Sequence, residues 1–256
     1  MILPSVGVIV ATRDRPLLLP DALASIRAQT LTPLEVRIAD NGDVPAHDTV
    51  EASGLLEVTV IPVAVRNPGA ARNRAAAGAR AEVLAFLDDD DRWLPGHLEG
   101  LARAFVDPAA GAAYRDSAVI RERVEPDGRR VELERRMIAH DWDPGMMREN
   151  DYVPPSALAV RRSGFERLGG FDESFACSED WDLLLRAAAG GAPRRVPGVT
   201  VEVRLRDTGN ASANRGPERQ ACLDRLSRRH RLPALVLKTF WEVARDVSGA
   251  AAGRPE

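Results

Sequence analysis

Four consecutive aspartates, Asp88 to Asp91, stand directly after the apolar run Val83-Leu84-Ala85-Phe86-Leu87. An apolar run of this length that ends abruptly in polar residues reads as a buried strand. Four adjacent carboxylates repel one another, so a folded chain tolerates them best beside a counter-cation. Mg²⁺ and Mn²⁺ take oxygen ligands, and Mg²⁺ bridges one or two carboxylates to substrate phosphates. Carboxylates at the carboxyl end of a strand also lie where open α/β sheets bind ligands. The plainer alternative is a solvated acidic turn that caps a helix over Trp93–Phe105.

Other segments ahead of this one follow the same pattern. Val6–Ala11 reads as a first, central strand and Leu17–Gln29 as a helix, with Leu19, Leu23 and Ile26 at helical spacing. Leu34–Ala39 reads as a strand ending at Asp40-Asn41-Gly42, and a short helix is expected within Pro45–Ser53. Val58–Val63 reads as a third strand. After the turn at Asn67-Pro68-Gly69, the alanine-rich Ala70–Ala79 reads as a helix. Strands alternating with helices predict a largely parallel central sheet flanked by helices. Thr12, Asp40, Asn41 and Asp88 to Asp90 then share one sheet edge.

The second half is less regular. A strand is expected over Ala112–Arg123, a turn at Pro126-Asp127-Gly128, a strand over Ala157–Val160, and a helix over Ser163–Leu168 stopped by Gly169-Gly170. Ser178 is placed to cap a helix over Trp181–Ala189, with Glu179 and Asp180 suited to its positive end. Val196–Val203 reads as the last strand and Arg206–Gly216 as a mobile loop. Helices over Glu218–Arg231 and Leu235–Val247 precede a tail from Gly249, itself a candidate helix stop. The expected organisation is one domain over 1–216, split into a nucleotide half (1–110) and an acceptor half (111–216), with a helical extension over 217–256.

At 256 residues and 45% hydrophobic the chain can bury a sizeable core. A net charge of -3 gives no global basic field for nucleic acid. The two cysteines, Cys177 and Cys222, are far apart in sequence and suit free thiols in a reducing compartment. Neither a signal peptide nor a transmembrane run is read, so a cytoplasmic protein, able to visit a membrane surface, is expected. The Walker pattern is absent and no GxGxxG follows the first strand, which argues against P-loop and dinucleotide-binding enzymes. Carboxylates at a strand end with an Asn/Gly/Arg loop upstream suit transfer from a nucleotide diphosphate, with a metal neutralising the leaving group.

Several stretches, in order, resemble the family-2 glycosyltransferases of the A-type fold. They are Val8–Arg15, Ala28-Gln29-Thr30, Glu35–Gly42, Asn67–Asn73, Phe86–Pro95 with its Asp-x-Asp, Gly169–Glu173, and Glu179-Asp180, covering roughly residues 5–190. The resemblance implies a nucleotide-diphosphate-sugar donor (a UDP-sugar first, GDP- or dTDP-sugars as alternatives) and a saccharide, lipid-linked or small-molecule acceptor. It places Thr12 and Arg13 along the nucleotide, Asp40 and Asn41 at the base, and Arg72 at the nucleotide or diphosphate. Asp88 and Asp89 would touch ribose or donor sugar, and Asp90 a divalent Mn²⁺ or Mg²⁺. Asp180 would be the general base of an inverting displacement, with Glu179 as alternate. Chemistry agrees on the need for one, since a hydroxyl is a poor nucleophile at neutral pH. Asp91 would be the cap of the following helix.

The chain departs from the family pattern where relatives carry a metal-binding histidine after the last strand. Here the stretch is Val203-Arg204-Leu205-Arg206, and Arg206 is expected to pair with the diphosphate or to close over it as part of a lid. Metal affinity is then expected to be low, with the ion arriving on the nucleotide. Asp141–Tyr152 and Arg129–Met147 are expected to shape the acceptor pocket, with Trp142 and Tyr152 as stacking candidates. The apolar face of the last helix, Leu235 to Val243, is expected on the core first, then at a homodimer contact. A nucleotidyltransferase, or a relative that binds without catalysis, stands as the alternative function.

Overall fold

The computed structural model describes residues 2–206 and 216–252. One sheet of nine strands organises them. Its N-terminal half is parallel and buried: β1 (Val6–Thr12), β2 (Glu35–Asp40), β3 (Val58–Pro62) and β4 (Val83–Asp88) lie in the order β3-β2-β1-β4. Val8, Ile9, Val10, Ile38, Leu84 and Phe86 are fully buried, as strands covered on both faces require. Three helices belong to this half: α1 (Leu19–Arg27), α2 (His47–Ala52) and α3 (Pro68–Ala76). Asn67 starts α3: its side chain accepts from the Ala70 N–H at 2.8 Å, and Pro68 occupies the first turn, where its missing N–H costs nothing.

Strand register brings the polar ends together. Thr12 pairs with Asp40 and Ala11 with Asp88, so the three strand ends meet along one edge. This is the expected edge, and its position follows from the parallel pairing.

The C-terminal half is mixed. After the two-residue β5 (Arg92–Trp93) and α4 (His97–Ala104) come β6 (Ala112–Val124) and β7 (Arg130–Ile138), a hairpin turning at Gly128 (φ 83°). A short α5 (Pro144–Met147) and a 3-10 turn at Pro155–Ala157 lead to β8 (Leu158–Arg161), which runs antiparallel to both β4 and β6. Then follow α6 (Arg162–Arg167), α7 (Glu179–Ala188) and β9 (Arg194–Leu205), parallel to β6. Helices α8 (Pro217–His230) and α9 (Phe240–Ala252) close the described chain, α9 lying on β7 and β6.

Several expectations are corrected here. Trp93 is in a strand, not a helix, and α4 starts after Gly96 in a left-handed turn (φ 84°). Asp91 therefore caps nothing: it is buried and accepts from Ser156 Oγ (2.6 Å) and the Arg204 N–H (2.9 Å), tying β4 to β9. Ser178 makes no side-chain cap and sits at φ 62°, a strained setting for a residue with a Cβ. Arg130–Ile138 is a strand, not a pocket loop. Leu235–Lys238 is not helical; α9 begins at Phe240 because Thr239 and Glu242 form a reciprocal capping pair, Thr239 N–H donating to Glu242 Oε2 at 2.7 Å and the Glu242 N–H to Thr239 Oγ1 at 3.3 Å. The helix also runs past Gly249 to Ala252. Val243, Ala244 and Val247 face the core as expected. The loop expected to act as a lid lies outside the described residues except for Arg206 and Gly216, as does 253–256 of the tail.

Candidate active site

At the polar edge a cavity of about 620 Å³ opens between β1, β4, α3, α7 and the C-terminal helices. Its lining includes Thr12, Arg13 and Asn41, Asp88 to Asp91, and Glu179 and Asp180. Ligand cavities fall in this size range.

Thr12 donates its hydroxyl to Asp89 Oδ2 at 2.8 Å, and Asp89 also takes the Arg13 N–H (3.4 Å) and Arg15 Nη1 (2.9 Å). Asp89 is thus buried and spent on the β1 loop rather than open to a sugar. Burial drives its carboxyl up to about 6, with Arg15 opposing and Asp90 repelling. Arg13 lines the cavity, but its neighbour Arg15 is the arginine that grips the aspartates; nothing in the sequence distinguished the two.

Asp40 turns both oxygens to its own loop, taking the Gly42 N–H at 3.1 Å and the Ala46 N–H at 2.7 Å. It shapes the turn that presents Asn41, which is in the cavity wall where Asp40 is not. Asn41 is held by Nδ2 donating to the Val65 carbonyl at 3.1 Å.

Arg72, on α3, spans the site. Its guanidinium donates to Asp88 Oδ1 and to Glu179 Oε1, each at 2.6 Å, with Arg72 and Glu179 both buried. Burial alone would pull the guanidinium down, but Asp88 and Glu179 hold it above its ordinary value. Burial, reinforced by Asp180, pushes Glu179 up to about 7 despite Arg72. Asp180 is also raised, by burial first and by Asp88, with Arg72 opposing. Its Oδ1 takes the Trp181 N–H at 2.9 Å, so the carboxylate is fixed at the first turn of α7 beside the cavity. Glu179 pairs with Arg72 and, among the described residues, Asp180 makes no ion pair, although both acids line the cavity.

Asp90 Oδ2 meets two guanidiniums at 2.5 Å each, Arg15 and Arg206. Arg206 is where the missing histidine directed attention, and it reaches the Asp-x-Asp segment itself. Carboxylate oxygens of Asp88, Asp90 and Asp91 lie within 4.8 Å of one another, hard donors suited to Mg²⁺ or Mn²⁺. Asp91 is already spent on Ser156 and Arg204, so Asp88 and Asp90 are the carboxylates left for an ion. That set fits a cation that completes its shell with substrate oxygens and water.

Two expected acceptor-side aromatics are elsewhere. Tyr152 is buried, its hydroxyl taking the Asp143 N–H at 2.9 Å and donating to the Asp141 carbonyl at 3.2 Å. Trp142 packs edge-on to Tyr114. Of the stretches expected to shape this side, Glu149 and Asp151 reach the cavity; Val236, Phe240 and Val243, from the C-terminal segment, also line it. Asn67 and Asn73 were missed as well. Asn67 Nδ2 donates to the carbonyls of Glu173 and Phe175, while Asn73 exchanges two 2.9 Å hydrogen bonds with the Phe171 backbone. Gly170 is required there: its φ is 71° and a Cβ would fall 2.5 Å from Asn73 Oδ1. Two motifs that read separately in the sequence are one contact.

A strand-edge crevice lined by an Asp-x-Asp and a helix-borne carboxylate, in a sheet of this kind, is the arrangement of an A-type glycosyltransferase. The chain belongs to glycosyl transferase family 2, whose family profile matches residues 7–168. It is 32% identical over 238 residues to the uncharacterized glycosyltransferase YwdF of Bacillus subtilis, covering 92% of this chain and 87% of that one. It is 31% identical over 171 residues to the pre-mycofactocin glycosyltransferase of Mycobacterium tuberculosis, covering 65% of this chain but 36% of that one. Among solved structures, TarS of S. aureus superposes with a TM-score of 0.62 at 16% identity, covering 97% of this chain and 44% of that one. Residues 1–349 of TarS in complex with UDP give 0.58 at 17%, covering 95% and 70%. The protein is a glycosyltransferase enzyme, and among the described residues no helix is long and apolar enough to cross a membrane.

Proposed function

We propose that the chain transfers a sugar from a nucleotide-diphosphate donor, a UDP-sugar first, to an acceptor hydroxyl with inversion. The observation that carries this reading is that one cavity is lined both by Asp180 and by Asp88 to Asp90. Asp180 takes the proton of the acceptor hydroxyl. The acceptor oxygen forms a bond to the anomeric carbon as the bond from that carbon to the diphosphate oxygen breaks, and the electron pair leaves with the nucleoside diphosphate. Burial raises Asp180, which makes it a better base than an ordinary carboxylate. Thr12, Arg13 and Asn41 line the nucleotide end, with Asp40 and Asp89 holding the loops that present them.

Arg72 keeps Asp88 and Glu179 in place, and Arg15 and Arg206 turn from Asp90 to the diphosphate as the donor enters. Asp90, with Asp88, would hold a divalent ion, which when bound neutralises charge on the leaving diphosphate. Residues 1–110 then serve the donor and 111–216 the acceptor, with 217–256 an extension that adds the apolar side of the acceptor end. The UDP-bound relative supports the donor class.

A thermal-shift series with UDP, GDP and dTDP, each with and without Mn²⁺, tests the donor. The matching diphosphate raises the midpoint, more so with the metal. Release of UDP from UDP-sugars, absent in Asp180→Asn, tests the chemistry. A wild-type protein that binds UDP yet turns over no sugar nucleotide would make it a binding relative.

A further inference from the structure

One carboxyl in the cavity has no part in the scheme above. Asp151 stands between α5 and the 3-10 turn, and it lines the cavity with Glu179 and Asp180. Its Oδ1 is buried and makes no hydrogen bond among the described residues. Buried polar atoms are nearly always paired, and the exceptions concentrate where a ligand completes them.

The backbone around Asp151 is pinned on both sides. Asn150 is buried and accepts from Lys238 Nζ at 2.7 Å. Tyr152 is locked between Asp141 and Asp143, its ring edge-on to Tyr114 and His140. Prolines 154 and 155 follow. The backbone that carries Asp151 is therefore held in place, which helps to pre-organise a binding group.

We propose that Asp151 is an acceptor-binding residue whose Oδ1 holds a hydroxyl of the acceptor next to the hydroxyl that Asp180 deprotonates. The proposal rests on the glycosyltransferase reading above and adds a substrate class: a neutral acceptor with two neighbouring hydroxyls, such as a saccharide or polyol. Burial, with Asp180 and Glu179 close by, keeps the Asp151 carboxyl well above its ordinary value, so it holds its proton to higher pH than a surface aspartate. A hydroxyl both donates and accepts, and it matches the carboxyl in either state. Glu179 and Asp180 line the cavity with Asp151, Arg72 is already paired with Glu179, and Arg219 partly offsets the charge at Asp151. Val236, Phe240 and Val243 line the same cavity and offer an apolar wall for the carbon face of a sugar.

The test uses wild type, Asp151→Ala and Asp151→Asn, with UDP release from the UDP-sugar the wild type turns over. Methyl glycosides serve as acceptors beside their monodeoxy counterparts, and UDP affinity is measured in parallel. In the wild type a methyl glycoside speeds UDP release above the rate in water, and deletion of one neighbouring hydroxyl lowers kcat/KM at least tenfold. Asp151→Ala loses that discrimination while UDP affinity stays within twofold. Asp151→Asn, which can still donate and accept, keeps most of it. Undiminished discrimination in Asp151→Ala overturns the assignment, as does a wild type unaffected by every vicinal-diol acceptor. A parallel loss of UDP affinity in Asp151→Ala marks a structural role and also overturns it. A wild type that releases no UDP from any UDP-sugar defeats the donor reading itself, and this inference with it.

Discussion

Arg72 and Glu179 form a buried ion pair at 2.6 Å that joins α3 to the first residue of α7. Both charges are out of water, and the second arm of the same guanidinium holds Asp88. Removing one member of such a set strands the others. Arg72→Ala is expected to cost about 3–5 kcal/mol of stability, read as a shift in the urea midpoint. Arg72→Lys should recover only part, because one ammonium cannot span two carboxylates as a planar fork does.

Burial of Glu179, with Asp180 beside it and Arg72 opposing, sets a pH dependence of stability. The folded Glu179 carboxyl sits at about 7, above the ordinary 4.5, so the folded state binds its proton more tightly than the unfolded chain does. This contribution is fully present below pH 4.5 and is lost as pH rises through about 7. Glu179→Gln should flatten the wild-type fall in stability across that window, measured by denaturation at a series of pH values.

Asp180→Asn keeps the shape of the first turn of α7 but cannot take a proton. Its kcat is expected to fall by roughly 10²–10⁴ with UDP affinity little changed. Because burial and Asp88 raise Asp180, the acidic limb of the wild-type kcat/KM profile should lie above the ordinary aspartate range near 3.8.

Arg15 and Arg206 compete with any cation for Asp90. Arg15→Ala and Arg206→Ala should each tighten Mn²⁺ binding to the nucleotide-free protein in calorimetry, while raising the KM for the donor. Arg206→Ala with unchanged donor KM and kcat would remove that residue from the diphosphate site.

Thr239 is the cap of α9. Thr239→Ala is expected to destabilise by about 1 kcal/mol, since it removes the hydroxyl that accepts from the Glu242 N–H and donates to the Glu242 carboxylate. A shifted thermal midpoint reads this directly.

The strands of the N-terminal half were legible because runs such as Val6–Ala11 and Val83–Leu87 are apolar throughout, and fully buried parallel strands need little else. The shared edge followed from that. β7 was not legible: Arg130–Ile138 has Glu and Arg at five of nine positions and is only thinly covered, so neither apolar alternation nor burial marks it. Asp91 read as the cap of the following helix, and only the arrival of Ser156 from the 3-10 turn and of Arg204 from β9 shows it to be an internal tie. Arg206 was reached because a missing histidine pointed there. Asp151 had no such signal; its standing depends on Asn150, Tyr152 and one buried oxygen without a hydrogen-bond partner among the described residues.

The contact between Asn73 and the Phe171 backbone bears on how this chain can be recombined. Grafting a foreign acceptor half onto residues 1–110 would bring its own counterpart of Gly170-Phe171, and any side chain at 170 collides with Asn73. A hybrid keeps its base aligned only if the donor of the second half also presents glycine there and backbone groups in reach of Asn73. Crossover points for exchanging specificity are thus dictated less by where loops fall than by whether this one asparagine still finds its partner.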